Sequence, residues 1–385
     1  MLARKIAAAT ACVGFVLTSS FSAGGVASGG EGQRYPLIAV DAKSGEVRWR
    51  YDPPGNRAVF RSFTSGPTVF VASASSCEGE VRLAALDAKT RQERWHKAVY
   101  PVGTAEGGVL VVRSANGTEI QGLDPESGDE LWKRTLKPSE SPMTVGPALV
   151  FVLDSTPLPP SGSRDAAGLR AFNKRDGTPA WIFESGELID HATGGFGVLF
   201  SDTKLTVLLN TDLHKDDAGN PVFGGDVLRV LDTRTGREMV HFGVGQERGS
   251  TIVGDTVVSS DGRSLTARAV ATGAVRWKVD SDMEYVAGAS RRLGLLVVAG
   301  GTAPTRALAL HDGGTRWTAT SADIRVMAVG DRSVIATNVG SSRLMSLETK
   351  TGRQQWEVPI PEDLGGLGSI STGGGAIYLA WDCSG

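Results

Sequence analysis

The sequence predicts an all-β fold built from eight similar units, and three observations lead to this prediction. First, an Asp, a Gly four residues later and a Trp four residues after that occur at Asp41, Gly45 and Trp49, and this skeleton returns along the chain. Second, consecutive copies are 37 to 59 residues apart, which is typical of repeat architectures. Third, short alternating apolar segments flank each copy, and such segments are typical of half-buried strands.

The remaining copies show how regular the pattern is. They include Asp87 and Trp95; Asp124, Gly128 and Trp132; Asn173, Gly177 and Trp181; Asp232 and Gly236; Gly273 and Trp277; Gly313 and Trp317; and Glu348, Gly352 and Trp356.

Each copy is predicted to form a β-hairpin. The Asp side chain can accept hydrogen bonds from the backbone two residues on, and the Gly provides the positive φ that a short hairpin loop requires. The Trp falls on the second strand, where an indole is too large to leave in water, so we expect it to dock one sheet on the next. The expected docking residues are Trp49, Trp95, Trp132, Trp181, Trp277, Trp317 and Trp356.

A second strand pair precedes nearly every hairpin, as at residues 68–72 and 295–298, which makes four strands per unit. Radial repetition of four-stranded antiparallel sheets is the architecture of a β-propeller, so the sequence predicts eight blades. Residues 35–51 contain a hairpin without the preceding pair, and residues 368–381 contain a pair without a hairpin. We therefore expect one blade to be shared between the N- and C-termini, which closes the ring and removes unpaired sheet edges.

Departures from the pattern locate irregular units. Surplus length predicts surface loops at residues 155–166 and 202–225. Val240 stands at the Trp position of the fifth unit, so we expect either a neighbouring side chain to fill the space or a weaker contact there. Arg91 stands at the Gly position of the second unit.

Composition and the N-terminus set the class of protein. The chain has 385 residues, 41% hydrophobic content and a net charge of −2, so there is no basic footprint for nucleic acid. Arg4 and Lys5 precede an apolar run of 12 residues, too short to span a bilayer, followed by small residues to Ser28. These features predict a secretory signal over residues 1–28 and a single propeller domain over residues 29–385 with no transmembrane span. The mature protein is expected to be extracellular or associated with the cell envelope.

Removal of the signal leaves an even pair of cysteines, Cys77 and Cys383, in an oxidising setting. Both follow the second strand of their unit, in neighbouring blades. A disulfide between them is therefore predicted, and the alternative is two unpaired thiols.

The repeat, as in Ala39-x-Asp41-x-x-x-Gly45-x-x-x-Trp49, resembles the pyrroloquinoline-quinone-like (PQQ-like) propeller repeat family over the whole mature chain. The resemblance implies a propeller fold. The family contains quinone- and calcium-dependent dehydrogenases and also non-catalytic members, such as the lipoprotein subunit of the outer-membrane barrel-assembly machinery. This chain is similar in kind to the non-catalytic members, because it lacks the adjacent cysteine pair of the dehydrogenases.

Metal and nucleophile motifs such as HExxH, CxxC and GxSxG do not occur in the sequence. We therefore expect no catalytic residue, no cofactor and no metal, and a function as a binding scaffold for other envelope or extracellular proteins. One alternative is a PQQ- and calcium-dependent dehydrogenase.

Polar residues in the first strands of the units are expected to line the central channel. The candidates for a ligand site at the channel mouth are Arg61, Asp190, His191, Asp282, Glu284 and Arg325. A solvated channel with ordinary polar lining explains the same residues. The second alternative function is a hydrolase or lyase that uses Asp190 and His191.

Overall fold

The computed structural model describes residues 35–76, 79–103, 105–156, 166–188, 197–200, 205–215, 221–245, 250–281, 284–300, 304–320, 324–338, 342–364 and 367–381. In these residues the strands form eight four-stranded antiparallel sheets, which confirms the all-β prediction and the count of four strands per unit. No helix in the described ranges is long and apolar enough to cross a membrane.

The strands follow one another regularly along the chain. They are β1 (Leu37–Asp41), β2 (Val47–Tyr51), β3 (Ala58–Ser65), β4 (Thr68–Ala74), β5 (Val81–Asp87), β6 (Glu93–Lys97), β7 (Val99–Pro101), β8 (Leu110–Ser114), β9 (Glu119–Leu123), β10 (Glu130–Thr135), β11 (Glu140–Val145), β12 (Leu149–Thr156), β13 (Ala166–Asn173), β14 (Pro179–Leu188), β15 (Gly197–Phe200) and β16 (Leu205–Lys215). They continue with β17 (Pro221–Asp232), β18 (Glu238–Gly245), β19 (Ser250–Val253), β20 (Thr256–Ser260), β21 (Ser264–Ala269), β22 (Val275–Asp280), β23 (Tyr285–Ser290), β24 (Leu295–Ala299), β25 (Arg306–Ala309), β26 (Thr315–Thr318), β27 (Ile324–Val329), β28 (Ser333–Asn338), β29 (Arg343–Glu348), β30 (Gln354–Pro359), β31 (Ser369–Gly373) and β32 (Ala376–Ala380). Short 3-10 helices occupy Glu106–Gly108 and Glu362–Leu364.

The first sheet combines both ends of the chain in the order β2-β1-β32-β31. Its central pair is antiparallel, with Ile38 opposite Leu379 and Asp41 opposite Ala376. The second to eighth sheets are β3–β6, β7–β10, β11–β14, β15–β18, β19–β22, β23–β26 and β27–β30.

The apolar core lies between the sheets. One cluster joins Ile335 and Leu344 of the eighth sheet to Ile38 and Ile377 of the first. Another joins Val258 of the sixth sheet to Leu296 of the seventh. Burial of both faces explains why the second and third strands are almost continuously apolar.

Tryptophans on the outer strands connect each sheet to the following one. The indole of Trp356 lies against Gly45, where an added Cβ would come within 2.7 Å of the ring, and its Nε1 donates to the carbonyl of Ala42 at 3.1 Å. The φ of Gly45 is 76°, which favours glycine, so the residue provides both the turn and the space for the ring. The same hydrogen bond, to the carbonyl one residue after the Asp position, is made by Trp95 to Pro125, Trp132 to Lys174, Trp181 to Thr233, Trp277 to Leu310 and Trp317 to Thr349.

A small residue lies opposite each of these tryptophans on the neighbouring strand. Trp132 pairs with Gly122, where a Cβ would lie 2.1 Å from the indole nitrogen. Trp181 pairs with Ala171. The cross-strand partner therefore has to be small for the indole to lie flat over its own hairpin.

In the fifth sheet Val240 does occupy the Trp register, but it pairs with Val230 instead of a small residue. Phe242, two residues on, lies against the next turn, where a Cβ on Gly273 would come within 2.6 Å of its ring. Successive side chains of a strand alternate between faces, so residue 242 is on the same face as residue 240. This confirms the expectation that a neighbouring side chain fills the space.

The second sheet is the other exception. Arg91 keeps the turn conformation with a φ of 65°, which is strained for a residue that has a Cβ. Trp49, which docks on this sheet, is only partly buried, and among the described residues no hydrogen bond is made by its Nε1. A side chain at the Gly position thus coincides with a looser indole.

The loop expected over residues 202–225 is wrong for most of that range. The strands β16 and β17 extend as one long hairpin, paired from Leu205 opposite Asp232 to Lys215 opposite Pro221. Alternating Thr, Val and Leu residues at the start of β16 favour strand over loop. In the other insertion, residues 157–165 lie outside the described ranges.

Prediction for the fifth sheet. Replacing Phe242 with Ala should lower the free energy of unfolding by about 3 kcal/mol, because the ring is the docking group of this sheet. Val240→Ala should cost clearly less than either Phe242→Ala or Trp132→Ala. Urea denaturation followed by tryptophan fluorescence measures all three, and an equal or larger cost for Val240→Ala would contradict this assignment.

Prediction for the second sheet. Replacing Arg91 with Gly should stabilise the protein by about 1 kcal/mol, since relief of the left-handed strain exceeds the added flexibility of the unfolded chain. The matched control is Gly177→Ala, which should be destabilising because its Cβ would meet Trp132 at 2.6 Å. A loss of stability in Arg91→Gly would sink the idea.

Candidate functional site at the start of the first strands

The register of the first two strands places one residue from each of six sheets at the same level. Each of these residues pairs with the second-strand residue four positions after the one that faces the Asp position of the motif. The six residues, called here the inner arc, are Tyr285, Arg325, Ser369, Arg61, Tyr100 and Ser141, from the seventh, eighth, first, second, third and fourth sheets. All lie near the start of a first strand, and first strands line the central channel of a propeller.

Arg61 is the most enclosed cation of the inner arc. One Nη1 hydrogen donates to the carbonyl of Pro101 in the third sheet at 3.3 Å. Its Nε is buried without a hydrogen-bond partner, and no carboxylate within the described ranges forms an ion pair with it. Burial lowers the pKa of the Arg61 guanidinium, although an arginine remains protonated at neutral pH.

Arg325 lies on the opposite side of Ser369 in the inner arc and is solvent-exposed. Among the described residues it forms no ion pair. It is close enough to Tyr285 to lower the pKa of that phenol, while burial, the larger effect, raises it. Tyr100 occupies the matching place beside Arg61, and its ring lies 5.2 Å from the guanidinium carbon of Arg113.

Glu284, a sequence candidate for the channel mouth, directly precedes the inner arc but faces the sheet interior. It is 1% exposed, and its two carboxylate oxygens accept hydrogen bonds from Arg306 at 2.8 and 2.7 Å. Glu140 stands at the same place in the fourth sheet, is buried, and contacts Arg170 at 3.2 Å. Both acidic groups are therefore neutralised on the side away from the channel.

Other sequence candidates lie outside the described residues. These are Asp190, His191, Asp282, Cys77 and Cys383. The first strand of the fifth sheet is Gly197–Phe200, so Asp190 and His191 precede it in the sequence.

The hairpin carboxylates have a structural role. Backbone N–H groups of Ser127 and Glu126 donate to Asp124 at 2.9 and 2.8 Å and lower the pKa of this carboxyl. The pKa of Asp87 falls for the same reason, through the N–H of Thr90 and then through Arg94. Because the folded pKa values are depressed, this stabilisation is present at neutral pH and is lost as the pH falls through them.

A cavity of about 330 Å³ lies at the hairpin ends of the sixth and seventh sheets, beside Arg276, His311 and Arg316. Arg276 is engaged there by Asp255 at 2.5 Å. In the described part of the chain, no group of three His, Cys, Asp or Glu side chains is arranged to hold a metal ion.

Sequence reasoning identified Arg61 and Arg325 but not their partners in the inner arc. Tyr100, Ser141, Tyr285 and Ser369 carry no motif of their own. Counting back from the Asp position of each unit through the second strand to the first would have found them, had the turn lengths been known.

Solved structures show what the fold is similar to, and no curated protein matches the chain. The computationally designed Ika8 protein matches with a TM-score of 0.59 and 12% identity, over 84% of this chain and 96% of that one. Quinohemoprotein alcohol dehydrogenase from Comamonas testosteroni matches with a TM-score of 0.53 and 11% identity, over 90% and 72%. BamB from Moraxella catarrhalis matches with a TM-score of 0.45 and 16% identity, over 90% and 95%.

The family relationship comes from the sequence. The sequence model described as outer membrane protein assembly factor BamB matches residues 17–105, 78–207 and 167–367, which together cover most of the chain. The hairpin repeat and the four-stranded sheets are those of a β-propeller. The chain therefore belongs to the PQQ-like β-propeller repeat family described as outer membrane protein assembly factor BamB.

Proposed function

We propose that this protein is exported by a signal over residues 1–28 and acts as a non-catalytic binding scaffold for other proteins of the cell envelope or extracellular space. Residues 29–385 form a single propeller of eight blades. The observation that carries the proposal is the family match, because the family is described by a protein that serves in assembly of other proteins.

Closure of the ring through the first sheet is part of the proposal. It is supported by the pairing of β1 with β32 and by the contact of Trp356 with Gly45, which connects the eighth sheet to the first. A closed ring presents a rigid surface with few free sheet edges, as a scaffold requires.

A surface suited to a protein partner lies on the outer strands of the third, fourth and fifth sheets. Leu131, Ile182 and Met239 are each about half exposed there, at 50, 52 and 51%. Their strands β10, β14 and β18 belong to consecutive sheets. Clustered exposed apolar side chains mark protein contact surfaces more often than isolated ones do.

Prediction for partner binding. Chemical crosslinking and affinity capture of the exported protein should recover a defined partner. The triple change Leu131→Ser, Ile182→Ser and Met239→Ser should reduce its yield by about tenfold, because apolar contact area is lost. The control is Val47→Ser with Val275→Ser, which removes comparably exposed residues from the first and sixth sheets and should leave capture unchanged.

Two outcomes contradict the scaffold. One is equal capture by the native protein and the triple variant. The other is specific turnover of a dye acceptor on addition of the quinone and calcium, which would establish a dehydrogenase instead.

The disulfide between Cys77 and Cys383 is also proposed. It is supported by the backbone near both residues: the N–H of Trp381 donates to the carbonyl of Val59 at 2.9 Å, and the adjacent Ala58 pairs with Ala74. Each cysteine is thus two or three residues beyond one of two neighbouring backbone segments.

Prediction for the disulfide. The unreduced exported protein should resist thiol labelling and react at two sites after reduction. Cys383→Ser should lower the free energy of unfolding by about 2–4 kcal/mol, because the last strand pair is no longer tied to the second sheet. Full labelling without reductant would argue against the bridge.

A further inference from the structure

We propose that the inner arc binds an extended acidic peptide segment of a protein partner at the end of the channel where the first strands begin. This inference rests on the proposed scaffold function and assigns the chemistry of one partner segment.

The first step is the charge of the inner arc. Arg61 and Arg325 form no ion pair with any described carboxylate, and both are at the level of the channel lining. The acidic residues nearest in sequence, Glu284 and Glu140, are one position earlier on their strands. Alternation along a strand turns them to the opposite face, where Arg306 and Arg170 neutralise them. The arc therefore has net positive charge.

The second step is the unused hydrogen-bonding capacity of Arg61. A guanidinium has five N–H donors, and Arg61 uses one of them on a backbone carbonyl while its Nε is buried without a partner. A buried cation without an anion costs free energy, so it is retained more readily where an anionic ligand completes the site. Carboxylates suit this geometry, because two parallel N–H donors match two oxygens.

The third step is the spacing of the donors. Arg325 and Arg61 are on the eighth and second sheets, with the first sheet and Ser369 between them. Packed sheets are roughly 10 Å apart, so a ligand that meets both guanidinium groups must carry separated charges. Tyr285 and Tyr100 flank the two cations symmetrically and offer rings and hydroxyls to a peptide backbone. An extended chain with acidic side chains fits this arrangement better than a compact ion.

The test uses the mature protein and fluorescence anisotropy of a labelled octapeptide of alternating Glu and Gly. A Gln and Gly octapeptide is the uncharged probe, and citrate and inorganic phosphate are the small-anion competitors. The acidic peptide should bind, the Gln peptide should bind at least about tenfold more weakly, and the difference should shrink as salt is added.

Variants locate the site. Arg325→Gln and Arg61→Met should each weaken binding of the acidic peptide by about tenfold, as loss of one charged hydrogen-bonding partner predicts. Arg316→Gln, which removes an exposed arginine from an outer strand, should change the affinity less than about twofold. Arg61→Met should be at least as stable as the native protein, and Arg325→Gln provides the same test from an exposed position.

Each remaining outcome overturns the inference. Equal affinity for the Glu and Gln peptides would exclude charge recognition, and an equal loss in Arg316→Gln would place binding elsewhere. Citrate or phosphate binding as tightly as the peptide would establish a small-anion site instead. Partner capture separates this inference from the scaffold function: a partner that is captured without acidic-peptide binding removes only the inner-arc assignment, whereas acidic-peptide binding without a captured partner removes only the scaffold.

Discussion

The contact between a tryptophan of one sheet and the glycine turn of the next is the interaction on which the rest of the structure depends. A single glycine in each turn meets two demands, since it adopts a positive φ and leaves room for an indole at van der Waals distance. The indole nitrogen then donates to a backbone carbonyl of that turn, as Trp132 does to Lys174 at 2.9 Å. Each hairpin is therefore folded and docked by the same few residues.

The two irregular units show how much variation this contact tolerates. In the fifth sheet a phenylalanine replaces the indole from a position two residues further on, and a hydrogen bond is given up. In the second sheet a glycine is replaced by Arg91, and Trp49 is left less buried. Because each sheet is docked mainly on its neighbours, a weak contact at one interface is compensated by the regular contacts elsewhere.

The repeated scaffold separates structural charges from available ones. Aspartates of the hairpins are fixed as anions by backbone N–H groups, and the buried Glu284 and Glu140 are paired with arginines from third strands. The first strands carry little of this structural burden, so their residues at the start of the channel vary from blade to blade. Variation of this kind is where a repeat protein acquires specificity.

The sequence by itself determined the all-β class, the four strands per unit, the docking role of the tryptophans and the pairing of the chain ends, because these follow from local patterns that repeat. Only the tertiary structure decided that Phe242 docks the fifth sheet, that Glu284 is turned inward to Arg306, and that residues 205–215 and 221–232 form a long hairpin. It also decided which residues share the inner arc. The reason is physical: which side chain meets which depends on strand register, bulges and neighbouring sheets, and a difference of one residue moves a side chain to the opposite face.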